Sequence, residues 1–197
     1  MATFDELLHA IDAVRAQRTR TVVGVSGFGG AGKSTLARRL VDTVRGSARM
    51  RGDDFVDPTL AGERSTDWSA VERMRLRSEV VDPFRAGTPS TFRRYDWLTA
   101  ALASAEPLPA AEVLVINAVG LFHPDLDGAL DLRVWVDVEL DVATVRGKAR
   151  DHRSGKDHDR LWEDVWTPNE RDFAERFHPR DAADVLYVPD GDPEPGG

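Results

Sequence analysis

Nine consecutive residues, Gly27-Phe-Gly-Gly-Ala-Gly-Lys-Ser-Thr35, have the types and spacing to hold a chain of phosphates, because they fill every fixed position of the pattern G-x-x-x-x-G-K-[ST]. Gly27, Gly29, Gly30 and Gly32 let backbone N–H groups turn inward toward an anion with no Cβ in the way, and Ala31 and Thr35 complete the cradle. Lys33 would reach the β- and γ-phosphates of ATP, and Ser34 would offer its hydroxyl to Mg2+. A helix opening at about Lys33 would turn its positive dipole end toward the same phosphates.

Such a loop needs a strand that enters it and a helix that leaves it. Thr21–Ser26 is a short β-branched apolar run of the kind a buried parallel strand requires. After the loop, Leu36, Leu40, Val41 and Val44 recur at helical spacing, with Arg38, Arg39 and Asp42 on the other face. Upstream, Thr3 and Glu6 stand at capping-box spacing, and Phe4, Leu7, Leu8, Ile11 and Val14 form one stripe, which predicts an amphipathic helix over 3–17.

A second chemical feature follows the weak strand candidate at 48–52. Asp53 and Asp54 would sit at the carboxyl end of that strand, where loops of a parallel sheet converge on a ligand. A carboxylate there can take a proton from an attacking hydroxyl or help hold Mg2+; the same two acids would also suit a solvated turn. Residues 65–87 read as a helix carrying Trp68, Val71, Met74, Val80, Val81 and Phe84 and ending near Gly87. In Phe92-Arg-Arg-Tyr-Asp-Trp97, Arg93, Tyr95 and Trp97, with Asp67 from the preceding segment, make a candidate small-molecule pocket, although aromatic residues in a short strand also serve a core.

Two further apolar runs, 112–117 and 131–137, read as buried strands, and 183–189 as a last one. Residues 139–150 read as a helix. Arg146, Lys148, Arg150 and Arg153 concentrate positive charge just before Ser154-Gly-Lys-Asp, which has the composition of a mobile segment. Arginine on a hinged segment suits phosphoryl transfer, since it can arrive once water is excluded; a solvated helix end is the plainer reading. Thr167-Pro-Asn-Glu170 combines a capping box with proline at the first helical position and predicts a helix start, with Phe173 and Phe177 turned inward and Trp162 and Trp166 in the core. The five histidines show no metal-ligand spacing.

Composition bounds the rest. With 197 residues, 41% of them hydrophobic, the chain suits a single domain over 1–189 and a flexible Pro- and Gly-rich tail over 190–197. A net charge of −8 argues against a nucleic-acid backbone as partner. The absence of cysteine removes disulfides and thiolate ligands. No apolar run approaches the length of a membrane span and no export leader is evident, so the expectation is a cytoplasmic protein with a small-molecule partner, a homo-oligomer being left open.

Taken in order, these motifs resemble the uridine kinase (uridine–cytidine kinase) branch of the P-loop nucleoside kinases, with phosphoribulokinase and pantothenate kinase as more distant relatives, from about Val22 to Pro189. The resemblance implies a P-loop NTPase fold, α/β in three layers with a five-stranded parallel sheet, a substrate hairpin within about 53–100 and a lid at about 146–158. It implies ATP and Mg2+ as cofactors and the 5′-hydroxyl of a ribonucleoside as acceptor. By the same resemblance Asp53 matches the family's base, Tyr95-Asp96-Trp97 its base-binding hairpin, and Arg146 and Arg150-Asp151 its arginine-bearing lid. Lys33, Asp53 and Arg150 are then the catalytic candidates, Ser34 and Asp53 the metal candidates, and Asp54 and Asn117 line the substrate side. Two positions depart from the family: Asn117-Ala118 stands where it has Glu-Gly, and Ala100 where it has a pyrimidine-reading histidine. These departures admit a kinase for another hydroxyl compound, such as ribosylnicotinamide, pantothenate or a specialised metabolite, or a nucleotide-binding regulator.

Overall fold

Runs of β-branched residues with no charge on either face can be buried only between two layers, and the chain builds its centre from them. The computed structural model describes residues 1–96, 99 and 101–189. In chain order come helix α1 (Phe4–Arg15), strand β1 (Thr21–Ser26), helix α2 (Lys33–Thr43) and strand β2 (Ser47–Arg51). Helices α3 (Arg73–Leu76) and α4 (Asp82–Ala86) follow, then the short strands β3 (Thr91–Phe92), β4 (Tyr95–Asp96), β5 (Ala101–Leu102) and β6 (Glu106–Pro107). Strands β7 (Val113–Asn117) and β8 (Leu132–Val136), helices α5 (Leu140–Arg153), α6 (Asp159–Leu161) and α7 (Thr167–Phe177), and strand β9 (Val185–Tyr187) complete the order.

Five strands form a parallel sheet in the order β2-β7-β1-β8-β9. Strand alternation sends Val23, Val25, Val113, Val115, Val134 and Val136 to one face, where α1 and α2 bring Leu7, Ile11, Leu36 and Leu40. Val22, Leu114, Ile116 and Trp135 go to the other face and meet Leu76, Val80, Val81 and Phe84. This is the three-layer α/β fold expected from the sequence. Beside it, β3 pairs with β6 and β4 with β5, both antiparallel. Trp97 and Ala100 lie outside the described residues, as does the segment 190–197. Among the described residues, no helix is long and apolar enough to cross a membrane.

The capping box at Thr3 and Glu6 is present, with each side chain bonded to the other's backbone N–H. Two other helix readings need correction. The helix expected over 65–87 begins at Arg73; Trp68 adopts a left-handed φ of 54°, and Met74 is 59% exposed rather than part of the apolar stripe. The helix expected to start at Thr167 instead runs on from α6 through a π-helical turn, Trp162–Trp166, so Thr167 caps nothing. The same device, a π turn at Arg77–Val81, joins α3 to α4. In both rods a proline, Pro83 or Pro168, sits two residues beyond the π turn. Proline has no N–H to give and its ring crowds the preceding turn, and a widened turn relieves both conflicts without ending the helix. The segment expected to act as a lid is helical as far as Arg153 and turns at Ser154-Gly155.

Candidate active site

The phosphate loop joins β1 to α2 at the carboxyl edge of the sheet, flanked by the ends of β7 and β8. Its backbone is one that only glycine adopts without strain: φ is 150° at Gly27, 88° at Gly30 and 103° at Gly32. A Cβ at Gly30 would also collide with the Ala143 carbonyl oxygen of α5, so the loop is seated against that helix. Lys33 is buried and curls back, its Nζ donating to the carbonyls of Gly27 at 2.8 Å and Phe28 at 2.7 Å. Burial lowers its proton affinity; Glu170 and Asp53 raise it, and Arg150 lowers it. Asp53, Arg150 and Glu170 therefore all lie within electrostatic reach of this ammonium.

Asp53 and Asp54 occupy the turn Gly52–Asp54 that follows β2, and their environments differ. The Asp53 carboxylate is 47% exposed, with Arg51 at 3.9 Å. Asp54 is buried and clamped by Arg94 Nη1 at 2.6 Å and Arg51 Nε at 3.7 Å. Burial pushes its carboxyl above the ordinary range, although both arginines oppose the shift. Arg94 also pairs with Glu106 and so ties the hairpin region to the turn. Arg93, expected in the acceptor pocket, gives its guanidinium to the carbonyls of Ala103 at 2.7 Å and Leu102 at 3.1 Å. Tyr95 is buried on β4. Asp67 accepts the Ser65 hydroxyl at 2.6 Å, which holds its proton affinity down, and its charged neighbours are Arg73, His123 and Arg176.

At the end of β7, Asn117 donates from Nδ2 to Ser34 Oγ at 3.3 Å and accepts Arg49 Nε on Oδ1 at 2.7 Å. The amide carbonyl, which by its type could hold a magnesium-bound water, is thus turned to Arg49. Asn117→Glu is expected to place a carboxylate beside Ser34 and to lower the Mg2+ concentration at half-maximal nucleotide binding by up to about tenfold. A magnesium titration followed by nucleotide fluorescence reads this, and an unchanged midpoint removes the idea.

On α5, Arg146 is half-buried and Arg150 exposed. Arg150 donates to Asp151 Oδ1 from Nε at 3.0 Å and Nη2 at 2.8 Å. Asp151 also receives Trp162 Nε1 at 2.9 Å and contacts His158 Nδ1 at 3.2 Å. Burial alone would raise Asp151, but these hydrogen bonds more than offset it and keep it ionised. The Trp162 ring packs on two glycines: a Cβ would lie 2.8 Å from it at Gly29 and 2.5 Å at Gly147. Gly147→Ala, although favourable for a helix, is therefore expected to displace the indole and destabilise the fold by about 1–3 kcal/mol, read as a lowered urea midpoint. A raised midpoint would refute the contact. Near the end of α5, His152 Nε2 lies 3.0 Å from Asp159 at the start of α6, with Asp157 close by, a contact that the histidine spacing did not reveal.

Glu170 was missed as a site residue because its position at capping-box spacing accounted for it. In the continuous rod of α6, the π turn and α7 it faces inward, 3% exposed, and accepts the Gly29 N–H on Oε1 at 2.6 Å. The usable signal was Trp162, Trp166 and Glu170 at four-residue intervals on one helix face. Burial pushes its carboxyl up to about 7, with Lys33 and the Gly29 amide pulling the other way. A neutral buried carboxyl stabilises the fold fully below its ordinary 4.5, and this contribution is lost as pH rises through about 7. The nucleotide-free protein is expected to lose on the order of 2–3 kcal/mol between pH 5 and 8, and Glu170→Gln to flatten that decline. Parallel urea curves for the two proteins would count against it.

The loop fits a nucleoside triphosphate with Mg2+: its glycines leave the room a Cβ would fill, Lys33 supplies a cation, and Ser34 offers a hydroxyl at the carboxyl edge of the sheet. Fold and loop together are those of a P-loop nucleotide-binding protein. No protein-family model matches the chain. In sequence it is similar to the uridine kinase of Deinococcus deserti, 29% identical over 141 residues that cover 66% of this chain and 68% of that one. It is also 27% identical over 157 residues to uridine-cytidine kinase C of Dictyostelium discoideum, covering 76% of this chain but 34% of that protein. Among solved structures, a protein from Silicibacter sp. TM1040, provisionally described as a fructose transport system kinase, superposes with a TM-score of 0.73 at 18% identity, over 95% of this chain and all of that one. A possible uridine kinase from Bacillus stearothermophilus gives 0.66 at 19% identity, over 92% of this chain and 99% of its own.

Proposed function

We propose that residues 1–189 form one catalytic unit that transfers the γ-phosphoryl group of ATP to a hydroxyl of a small molecule, and that the acceptor is the 5′-hydroxyl of a ribonucleoside. The observation that carries the reading is the glycine-built loop with the Lys33 ammonium buried in it, Asp53 and Arg150 lying within electrostatic reach of that cation. ATP supplies the phosphoryl group and the leaving diphosphate. Lys33 exchanges the Gly27 and Phe28 carbonyls for phosphate oxygens, at the end of the loop where charge develops. Ser34 and Asp53 would hold Mg2+. Asp53, open to solvent, takes the acceptor's proton as the new O–P bond forms and the bond to ADP breaks. Arg150, steered by Asp151 at the end of α5, covers the transferring group, and Arg146 serves the nucleotide from one turn earlier.

The test is ADP release with Mg-ATP across a panel of nucleosides, vitamins and sugars, for the wild type and Asp53→Asn. A nucleoside-dependent rate that Asp53→Asn abolishes supports the reading; tight ATP binding with no acceptor above background overturns it. A second reading, a kinase for another small hydroxyl compound such as ribosylnicotinamide or pantothenate, is favoured by Ala100 and by the Asn117 amide in place of a carboxylate. Within the same panel, a vitamin or sugar that outruns every nucleoside selects it. The expected setting is the cytoplasm, with no nucleic-acid or membrane partner.

A further inference from the structure

Glu170 has no part in that scheme, yet its carboxyl, reaching in from α7, is hydrogen-bonded to the phosphate loop. Its Oε1 already takes the Gly29 N–H, one of the amides a polyphosphate would claim, and its Oε2 is buried with no hydrogen-bond partner. The carboxyl is enclosed: a Cβ at Gly29 would meet the Trp162 ring at 2.8 Å and Glu170 Oε1 at 3.0 Å, and Trp162 is itself held by Asp151. An internal carboxyl thus sits on an anion site, and the side chain has little room to leave. A terminal phosphate entering beside it would set two negative charges across one glycine. That arrangement favours the neutral acid, whose new O–H could satisfy the orphan oxygen by donating to the phosphate.

We propose that Glu170 is a positioning residue: it shapes the empty loop by occupying the Gly29 amide, and on entry of a nucleoside triphosphate it takes a proton from solvent and donates Oε2–H to a terminal phosphate oxygen. The inference rests on the kinase reading above for the identity of the ligand. The charged group facing Glu170 is Lys33 of α2; Asp53 after β2 and Arg150 on α5 act on Lys33 in turn, Asp151 lies behind Trp162, and Arg171 and Asp172 adjoin it on α7. Burial has already brought the carboxyl up to about 7, and the charge of a phosphate beside it would push it strongly in the same direction.

Calorimetric titration of wild type and Glu170→Gln with Mg-ATP and Mg-ADP, in buffers of different ionisation enthalpy at about pH 7.5 and 8.5, tests the proposal. Wild type is expected to take up close to one proton per ATP at the higher pH, with Kd weakening about five- to tenfold over that unit. Glu170→Gln keeps the acceptor for Gly29 and should bind ATP with no uptake and a nearly flat Kd. ATP binding to wild type without proton uptake overturns the inference and leaves the kinase reading standing. Uptake that survives in Glu170→Gln assigns the proton to Lys33, and equal uptake with ADP removes the terminal phosphate from the account; either result overturns it. If neither protein binds ATP, the kinase reading fails and this inference with it. The wild-type measurement decides even if the variant folds poorly.

Discussion

Lys33→Met is expected to lower kcat by about 10²–10³-fold while leaving the fold intact, because the ammonium is held by nothing the fold needs. Its two hydrogen bonds go to carbonyls of its own loop, the buried Gly27 and the part-buried Phe28, so the loss stays within the loop. Methionine keeps the length and apolar stem of the buried lysine, so packing against α2 and the sheet changes little. What is lost is the cation at the phosphate end. The loss should appear in kcat more than in KM, since charge on the transferring group is greatest in the transition state. Glu170 loses the positive charge that pulls its proton affinity down, so its carboxyl should titrate higher in the variant. Single-turnover phosphoryl transfer and a thermal melt check both halves. A rate within about threefold of wild type would put the loop's lysine outside the chemistry.

Local signals made most of the scaffold legible. The strands announced themselves as β-branched runs, the loop as a fixed pattern, and α1 by its cap, because each depends on residues within one turn or strand of each other. The carboxylate pair at the end of β2 was likewise visible as a pair. What was hidden depended on long-range partners. Nothing near Asp54 says that Arg94, forty residues on, will hold it, nor that Arg93 will turn to Ala103 and Leu102 while its neighbour faces the turn. Pro168 reads as a helix start because proline ordinarily ends helices, and only the π turn before it lets one rod run from Asp159 to Phe177. With that start misplaced, Glu170 passed for a capping residue, although its partner Gly29 lies in the best-marked motif of the chain.

The second large effect separates the adjacent acids after β2. Asp53→Asn is expected to lower kcat by about 10²–10⁴-fold, the range for removing a general base, with little change in stability. The side chain is 47% exposed and its nearest cation, Arg51, is 3.9 Å away, so the fold draws little from it. Asp54→Asn should do the reverse. Asp54 is buried against Arg94 at 2.6 Å and Arg51 at 3.7 Å, and an amide leaves both guanidinium groups with a weaker acceptor. Arg94 keeps Glu106 and both arginines are partly solvated, so the expected cost is about 1–2 kcal/mol rather than that of a fully buried pair. Because Arg94 links this turn to the hairpin region, Asp54→Asn should also raise the acceptor KM while kcat holds within about threefold. Acceptor kinetics and urea curves on the two variants decide the matter. If Asp54→Asn carries the kcat loss and Asp53→Asn the stability loss, the base is the buried acid, and the roles assigned from exposure are exchanged.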